Sequence, residues 1–208
     1  MGLSIPGLKQ MMSDSALTNL ARAWWDIIQR DCPEEWSRLI PELDLSTPHR
    51  VLKPQSLEVL GYLGQISDQA LPPYRELLDA LVCAREFLYF GQTYTEGDFG
   101  AEFLRQYGWI KLLGPDAYWH SDTVSSGFLI LGDHNFYPEH WHEAEELYLP
   151  LSGQAEWFDE RQGWRLQPPG SLIHHASGVK HATRTAGEPL IALYLWRGGN
   201  LTQKSSTR

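Results

Sequence analysis

The first half of the chain repeats its apolar residues at helical spacing, and the second half alternates them. Over residues 16–31, Leu17, Leu20, Ala21, Trp24, Ile27 and Ile28 fall on one face of a helix. Asp31–Cys32–Pro33 ends that helix, and a short one is predicted from there through Trp36 to Ile40. A stretch rich in proline and polar residues then runs as loop to about residue 56. Residues 73–90 form a second long helical pattern, with Pro73 in its first turn and Gly91 as its stop. One more helical segment is predicted over 98–107.

From Trp109 onward the period changes to two. Strands are expected at 109–113, 126–131, 145–151, 154–158, 164–167, 171–175 and 189–196. Between them lie turn signals such as Gly132–Asp133, Ser152–Gly153, Pro168–Pro169–Gly170 and Gly198–Gly199. Short strands at this spacing predict a closed sandwich or barrel. The expected fold is therefore mainly β with a helical N-terminal part. Residues 1–108 form an α-helical region packed on a small barrel of residues 109–198, and 199–208 form a flexible tail.

Composition narrows the chemistry. The chain has 208 residues, 42% of them apolar, enough for one well-packed domain with an extension. A net charge of −9 argues against nucleic acid as a partner, because phosphate binding needs a basic face. Cys32 and Cys83 both fall in predicted helices, lack zinc-site spacing, and are expected to be buried thiols. The N-terminus lacks a signal-peptide pattern, and no apolar run reaches membrane-spanning length, so the cytoplasm is the expected location and a membrane is not an expected partner.

Residues 137–153, YPEHWHEAEELYLPLSG, carry the most chemistry. On a strand or its lead-in loop, His140, His142 and Glu146 share parity and point one way. Two neutral imidazoles and a carboxylate suit divalent iron, manganese, nickel or zinc and leave coordination positions open. The second informative stretch is 168–182, PPGSLIHHASGVKHA, in which Gly170 opens a strand, Gly178 makes a turn and His181 follows as a fourth ligand. Of the remaining histidines, His49, His120 and His134 fall in loops and are expected to be solvated, while of His174 and His175 at most one faces the interior. Tyr148 shares the side of Glu146, Tyr137 should sit at the barrel mouth, and Ala192, Tyr194 and Trp196 share one strand face. If that face looks inward, the metal lies under aromatic rings suited to a cationic or apolar group. Tyr89, Tyr94 and Tyr107 are candidates from the first half to reach the pocket, and spacing does not choose among them.

The spacings H-x-H-x3-E-x6-G and P-x-G leading to His resemble the two motifs of the cupin family, with Ala176 where cupins usually have proline. Longer segments, Tyr137–Tyr148, His175–Thr185 and Ala192–Gly198, resemble the bacterial cupin-type dimethylsulfoniopropionate (DMSP) lyases. That resemblance implies a carbon–sulfur lyase cleaving a zwitterionic sulfonium carboxylate to dimethyl sulfide and acrylate. One divalent metal would be held by His140, His142, Glu146 and His181. Tyr148 would be the base, Tyr137 would be a second candidate base or orient substrate, and Trp196 with Tyr194 would contact the sulfonium. The chain would act as a monomer or homodimer. A different metal-dependent cupin, a dioxygenase or isomerase, and a non-catalytic binder of small carboxylates are the alternatives.

Overall fold

The computed structural model describes residues 5–40 and 50–207, with side chains from residue 11 onward. His49 lies outside the described residues. Five helices lead the chain: α1 (Ile5–Asp31), α2 (Glu34–Ser37), α3 (Leu63–Asp68), α4 (Pro72–Ala84) and α5 (Glu96–Arg105). Eleven strands follow: β1 (Tyr107–Gly114), β2 (Trp119–His120), β3 (Val124–Leu131), β4 (Phe136–Trp141), β5 (Glu145–Ser152), β6 (Ala155–Asp159), β7 (Gly163–Gln167), β8 (Ile173–His175), β9 (His181–Thr185), β10 (Leu190–Arg197) and β11 (Ser206–Thr207).

The strands form two sheets, ordered β2-β1-β3-β10-β5-β8 and β11-β4-β9-β6-β7. Two facing sheets of mostly antiparallel strands, joined by a helical N-terminal layer, are the expected cupin architecture. The outer face of the six-stranded sheet is covered by the helices. Leu20, Trp24 and Ile28 of α1 and Leu77, Leu78 and Leu81 of α4 share one core with Phe128, Ile130, Leu147, Leu149, Ile191 and Leu193. Buried polar atoms stitch this layer together: Trp24 Nε1–H donates to Ser126 Oγ at 3.3 Å, and Ser152 Oγ donates to the Ile66 carbonyl at 2.8 Å. A second core between the sheets is built mainly of rings, among them Tyr94, Phe103, Tyr107, Tyr137, Tyr148, Trp157 and Tyr194.

Where the fold departs from the sequence pattern, packing supplies the reason. The helix expected over 73–90 ends at Ala84, with one 3-10 turn to Phe87. Leu88 and Phe90 are fully buried and alternate with Tyr89 and Gly91, and this extended run bridges to Gln55 and Trp109. A Cβ on Gly91 would lie 2.5 Å from ring atoms of Trp109, so the glycine is there to let the chain lie against β1. Residues 58–68, beyond the expected loop, are helical because Val59, Leu63 and Ile66 bury at helical spacing. Cys32 is buried, but Cys83 is exposed on the outer side of α4.

Strands β4 and β9 lie outside the runs that alternation marks, although the motifs place a strand or its lead-in at His140. The inward residues of β9 are His181, Thr183 and Thr185, all polar and all buried, so hydrophobic alternation has nothing to detect. After residue 198, β11 pairs with β4, and Leu201 and Ser205 are buried. This segment is a strap across the barrel mouth rather than a free tail. Among the described residues, no helix is long and apolar enough to cross a membrane.

Candidate metal centre and the cavity beside it

Two sheets contribute to one site. Strand β5 turns Glu146 and Tyr148 inward while Leu147, Leu149 and Leu151 pack on the helices. Its neighbour β10 sets Tyr194 opposite Tyr148 and Trp196 opposite Glu146. In the facing sheet, His140 of β4 is the register partner of His181 of β9. His142 lies just past β4, where the chain crosses from one sheet to the other before Glu146. The three motif residues of 137–153 therefore converge from two sheets rather than along one strand.

Strict alternation would put Tyr137 and His140, three apart, on opposite faces. In the register, however, Tyr137 pairs with Thr183 and His140 with His181, so β4 spends three steps where β9 spends two. That one-residue bulge returns His140 to the face of Tyr137. The two rings then stack at 4.0 Å with planes 12° apart.

Donor atoms of His142, Glu146 and His181 lie within 4.8 Å of one another, and all three residues are buried. Glu146 Oε2 is 3.1 Å from His142 Nε2 and 3.3 Å from His181 Nε2. His140, also buried, stands beside this trio: its ring centre is 4.2 Å from that of His181 and 6.4 Å from that of His142. Each of the three histidines directs Nδ1 at a backbone carbonyl. His140 reaches Pro138 at 2.8 Å, His142 reaches Ala144 at 2.8 Å and His181 reaches Val179 at 2.9 Å. A carbonyl only accepts, so Nδ1 carries a proton in each ring and Nε2 is the atom aimed at the cluster, the arrangement metal-binding histidines use; that of His142 bonds Glu146 Oε2. The buried Nε2 of His181 has no hydrogen bond of its own. Residues and tautomers fit a single divalent transition metal.

Burial lowers the His142 imidazole, but the bond to Glu146 and its charge outweigh burial and raise it. Burial would raise the Glu146 carboxyl, but His142 and then His181 beside it outweigh burial and hold it well below the usual carboxylate range. Burial, reinforced by His181, pushes His140 well below the ordinary imidazole value, so it stays neutral. His175, the inward member of its pair, stacks on His181 at 4.3 Å, with Nδ1 3.4 Å from Asp159. Burial first and the neighbouring His181 second bring it down to about 4. His174 faces outward and bonds Glu145. His120 and His134 are exposed, as expected.

A cavity of about 230 Å³ reaches this cluster at Glu146. Its walls include Tyr107, Tyr137, Glu146, Tyr148, Tyr194 and Trp196, and the strap Leu201–Ser205 closes one side. The face carrying Tyr194 and Trp196 thus does look inward. Burial raises the phenols of Tyr137 and Tyr148 well above their ordinary value, with neighbouring tyrosines adding to it for Tyr137 and Glu146 for Tyr148. Tyr137 is not at the rim but deep in the wall, its hydroxyl 3.0 Å from that of Tyr94. Of the three tyrosines from the first half, Tyr107 lines the cavity, Tyr94 supports Tyr137 from behind, and Tyr89 packs near Trp109.

Two features escaped the sequence. Trp196 donates its indole N–H to Glu146 Oε1 at 2.5 Å and lays its ring 4.0 Å from that of His142. The strap carries polar residues with no periodicity to announce it. Its Lys204 pairs with Asp98 at 2.8 Å and lies over the Tyr94 ring.

Residues 34–192 match the family model described as DMSP lyase. The chain is 34% identical over 155 residues to the DMSP lyase DddQ of Ruegeria pomeroyi, covering 74% of this chain and 77% of that one. A putative DMSP lyase, DddL of Cereibacter sphaeroides, is 29% identical over 96 residues, which are 45% of this chain and 40% of DddL. The crystal structure of DddQ from Ruegeria pomeroyi superimposes with a TM-score of 0.81 at 28% identity, over 93% of this chain and 96% of DddQ. A chain from the crystal structures of the DMSP lyases RdDddP and RnDddQII gives the same TM-score at 26% identity, over 94% of this chain and 99% of its own length. On the span and depth of these matches, the chain belongs to the dimethylsulfoniopropionate lyase family.

Proposed function

We propose that this protein is a metal-dependent lyase that cleaves DMSP to dimethyl sulfide and acrylate, working in the bacterial cytoplasm as a monomer or homodimer. The observation that carries this reading is that Glu146 of the carboxylate–imidazole cluster also lines a cavity walled by phenols and an indole. His142, Glu146 and His181, with His140 completing the set, would hold a divalent cation, which would supply positive charge for a substrate carboxylate and for acidifying the neighbouring CH2.

The rest falls to the side chains. Tyr148 takes the proton from the carbon next to the carboxylate at its phenolic oxygen. The C–H electron pair becomes the carbon–carbon double bond, the carbon–sulfur bond breaks, and dimethyl sulfide departs with that bond's pair. Because burial keeps the Tyr148 phenol protonated on its own, its role as base depends on positive charge beside it. Tyr137, anchored by Tyr94, orients the substrate and is the second candidate for the base. One face of the Trp196 ring lies against His142, which leaves the other face, with Tyr194, to hold the sulfonium. That contact is worth about 1–2 kcal/mol once water is excluded.

The test is headspace dimethyl sulfide from purified protein given DMSP with Fe(II), Mn(II), Ni(II) or Zn(II) in turn, with His142→Ala as control. Metal-dependent release that vanishes in the control is expected. No release with any metal would remove the lyase and direct the search to oxygen uptake by the same site.

A further inference from the structure

Trp196 makes two contacts with the ligand set that a substrate-binding ring does not need. It sits opposite Glu146 in the β10–β5 register, so both side chains leave the sheet on the same face. Its indole N–H reaches Glu146 Oε1 at 2.5 Å, while the other oxygen, Oε2, lies 3.1 and 3.3 Å from the Nε2 atoms of His142 and His181. The same indole ring covers His142, 4.0 Å away and tilted by 30°.

We infer that Trp196 is a positioning residue for the metal, holding Glu146 as a one-oxygen ligand. An ionised carboxylate has two equivalent oxygens, and a free one could turn both toward a cation. With Oε1 engaged by the N–H, only Oε2 faces the histidines, and a coordination position stays open for substrate. A hydrogen bond to an ionised group is the strong kind, and Glu146 is almost fully buried, so water does not compete for Oε1. This rests on the metal reading of the site but not on DMSP as the substrate.

The experiment measures metal alone. Trp196→Phe keeps a ring beside His142 and deletes the N–H. In competition with a chelator, without substrate, its affinity for Co(II) and Zn(II) should fall about tenfold to a hundredfold. The visible ligand-field bands of bound Co(II) should change as Oε1 is released, with the thermal midpoint of the metal-free protein unchanged. A purely structural role predicts the reverse, a lowered metal-free midpoint with wild-type affinity and spectrum, and that result would overturn the assignment. A readout on the unmutated protein guards against a misfolded variant. Of the nine tryptophan indole N–H signals in a 15N-labelled sample, one should be protected from exchange and shift on adding Zn(II). If no indole signal responds to the metal, the inference fails.

Discussion

The two sheets face the same cavity but differ on their backs. The six-stranded sheet is buried on both sides, with every residue of β3 and nearly every residue of β5 and β10 out of water. The five-stranded sheet is open behind: Phe136, Trp164 and Leu166 are exposed, and the ring of Trp164 is covered only by Arg184 at 4.3 Å and by neighbouring rings. The carboxylate, Tyr148, Tyr194 and Trp196 come from the first. Tyr137, His140 and His181 come from the second, with His142 at the crossing. Chemistry that must be aimed is thus split between a wall fixed by a hydrophobic layer and a wall fixed largely by backbone pairing and the imidazole–carbonyl bonds.

The comparison breaks most completely at the shared ligands. His142→Ala or His181→Ala should abolish bound metal, read by elemental analysis, and dimethyl sulfide release together. Next come the two phenols, one from each sheet. Tyr148→Phe should lower kcat by roughly 10²–10⁴-fold, the usual span for a lost general base, while Tyr137→Phe should act mainly on KM. Retained turnover in Tyr148→Phe would move the base role across to the five-stranded sheet. Behind the walls, Trp24→Ala should destabilise by about 3–5 kcal/mol as a large fully buried side chain, measured by denaturant unfolding.

Smaller effects sharpen the picture at the mouth. Lys204 first, then the Thr95 backbone N–H, hold the Asp98 carboxyl down to about 2. A folded pKa below the unfolded one means the tether is complete above roughly pH 4 and lost as pH falls toward 2. Asp98→Asn should raise KM a few-fold at neutral pH, and a matching rise in the parent should appear with added salt. Smallest of all, Trp164→Ala on the open sheet should shift stability by no more than about 0.5 kcal/mol, the range of surface changes.

The same contrast decides what the sequence could reveal. Strands of the helix-covered sheet announce themselves, since Leu147, Leu149, Leu151 and Ile191, Leu193, Leu195 alternate with site residues. So does α1, whose six expected core residues are all buried. The polar-lined β9 and the proline-bearing β4 do not, because the interior they face is a metal site rather than oil. The ligand types were legible from spacing, yet their convergence from two sheets was not. Parity along one strand picked out His140, His142 and Glu146 for a geometry the chain does not adopt. Helix 58–68 was masked by Gly61 and Gly64, and the strap by its lack of any period. Nor could the bond from Trp196 to Glu146 be seen, since it joins residues fifty apart.

The extra residue in β4 between Tyr137 and His140 has a bearing on how this chain tolerates changes of length. Removing Pro138 or Glu139 would restore plain pairing with β9 and leave Tyr137 and His140 two apart, still on one face. But the carbonyl that receives His140 Nδ1–H belongs to Pro138, and the stack of Tyr137 on His140 depends on that local kink. A shortened strand would keep its inward pattern and lose the support of one imidazole. Losses and gains of single residues should therefore be far better accepted in the turn around Arg161 and Gln162 than in this six-residue strand.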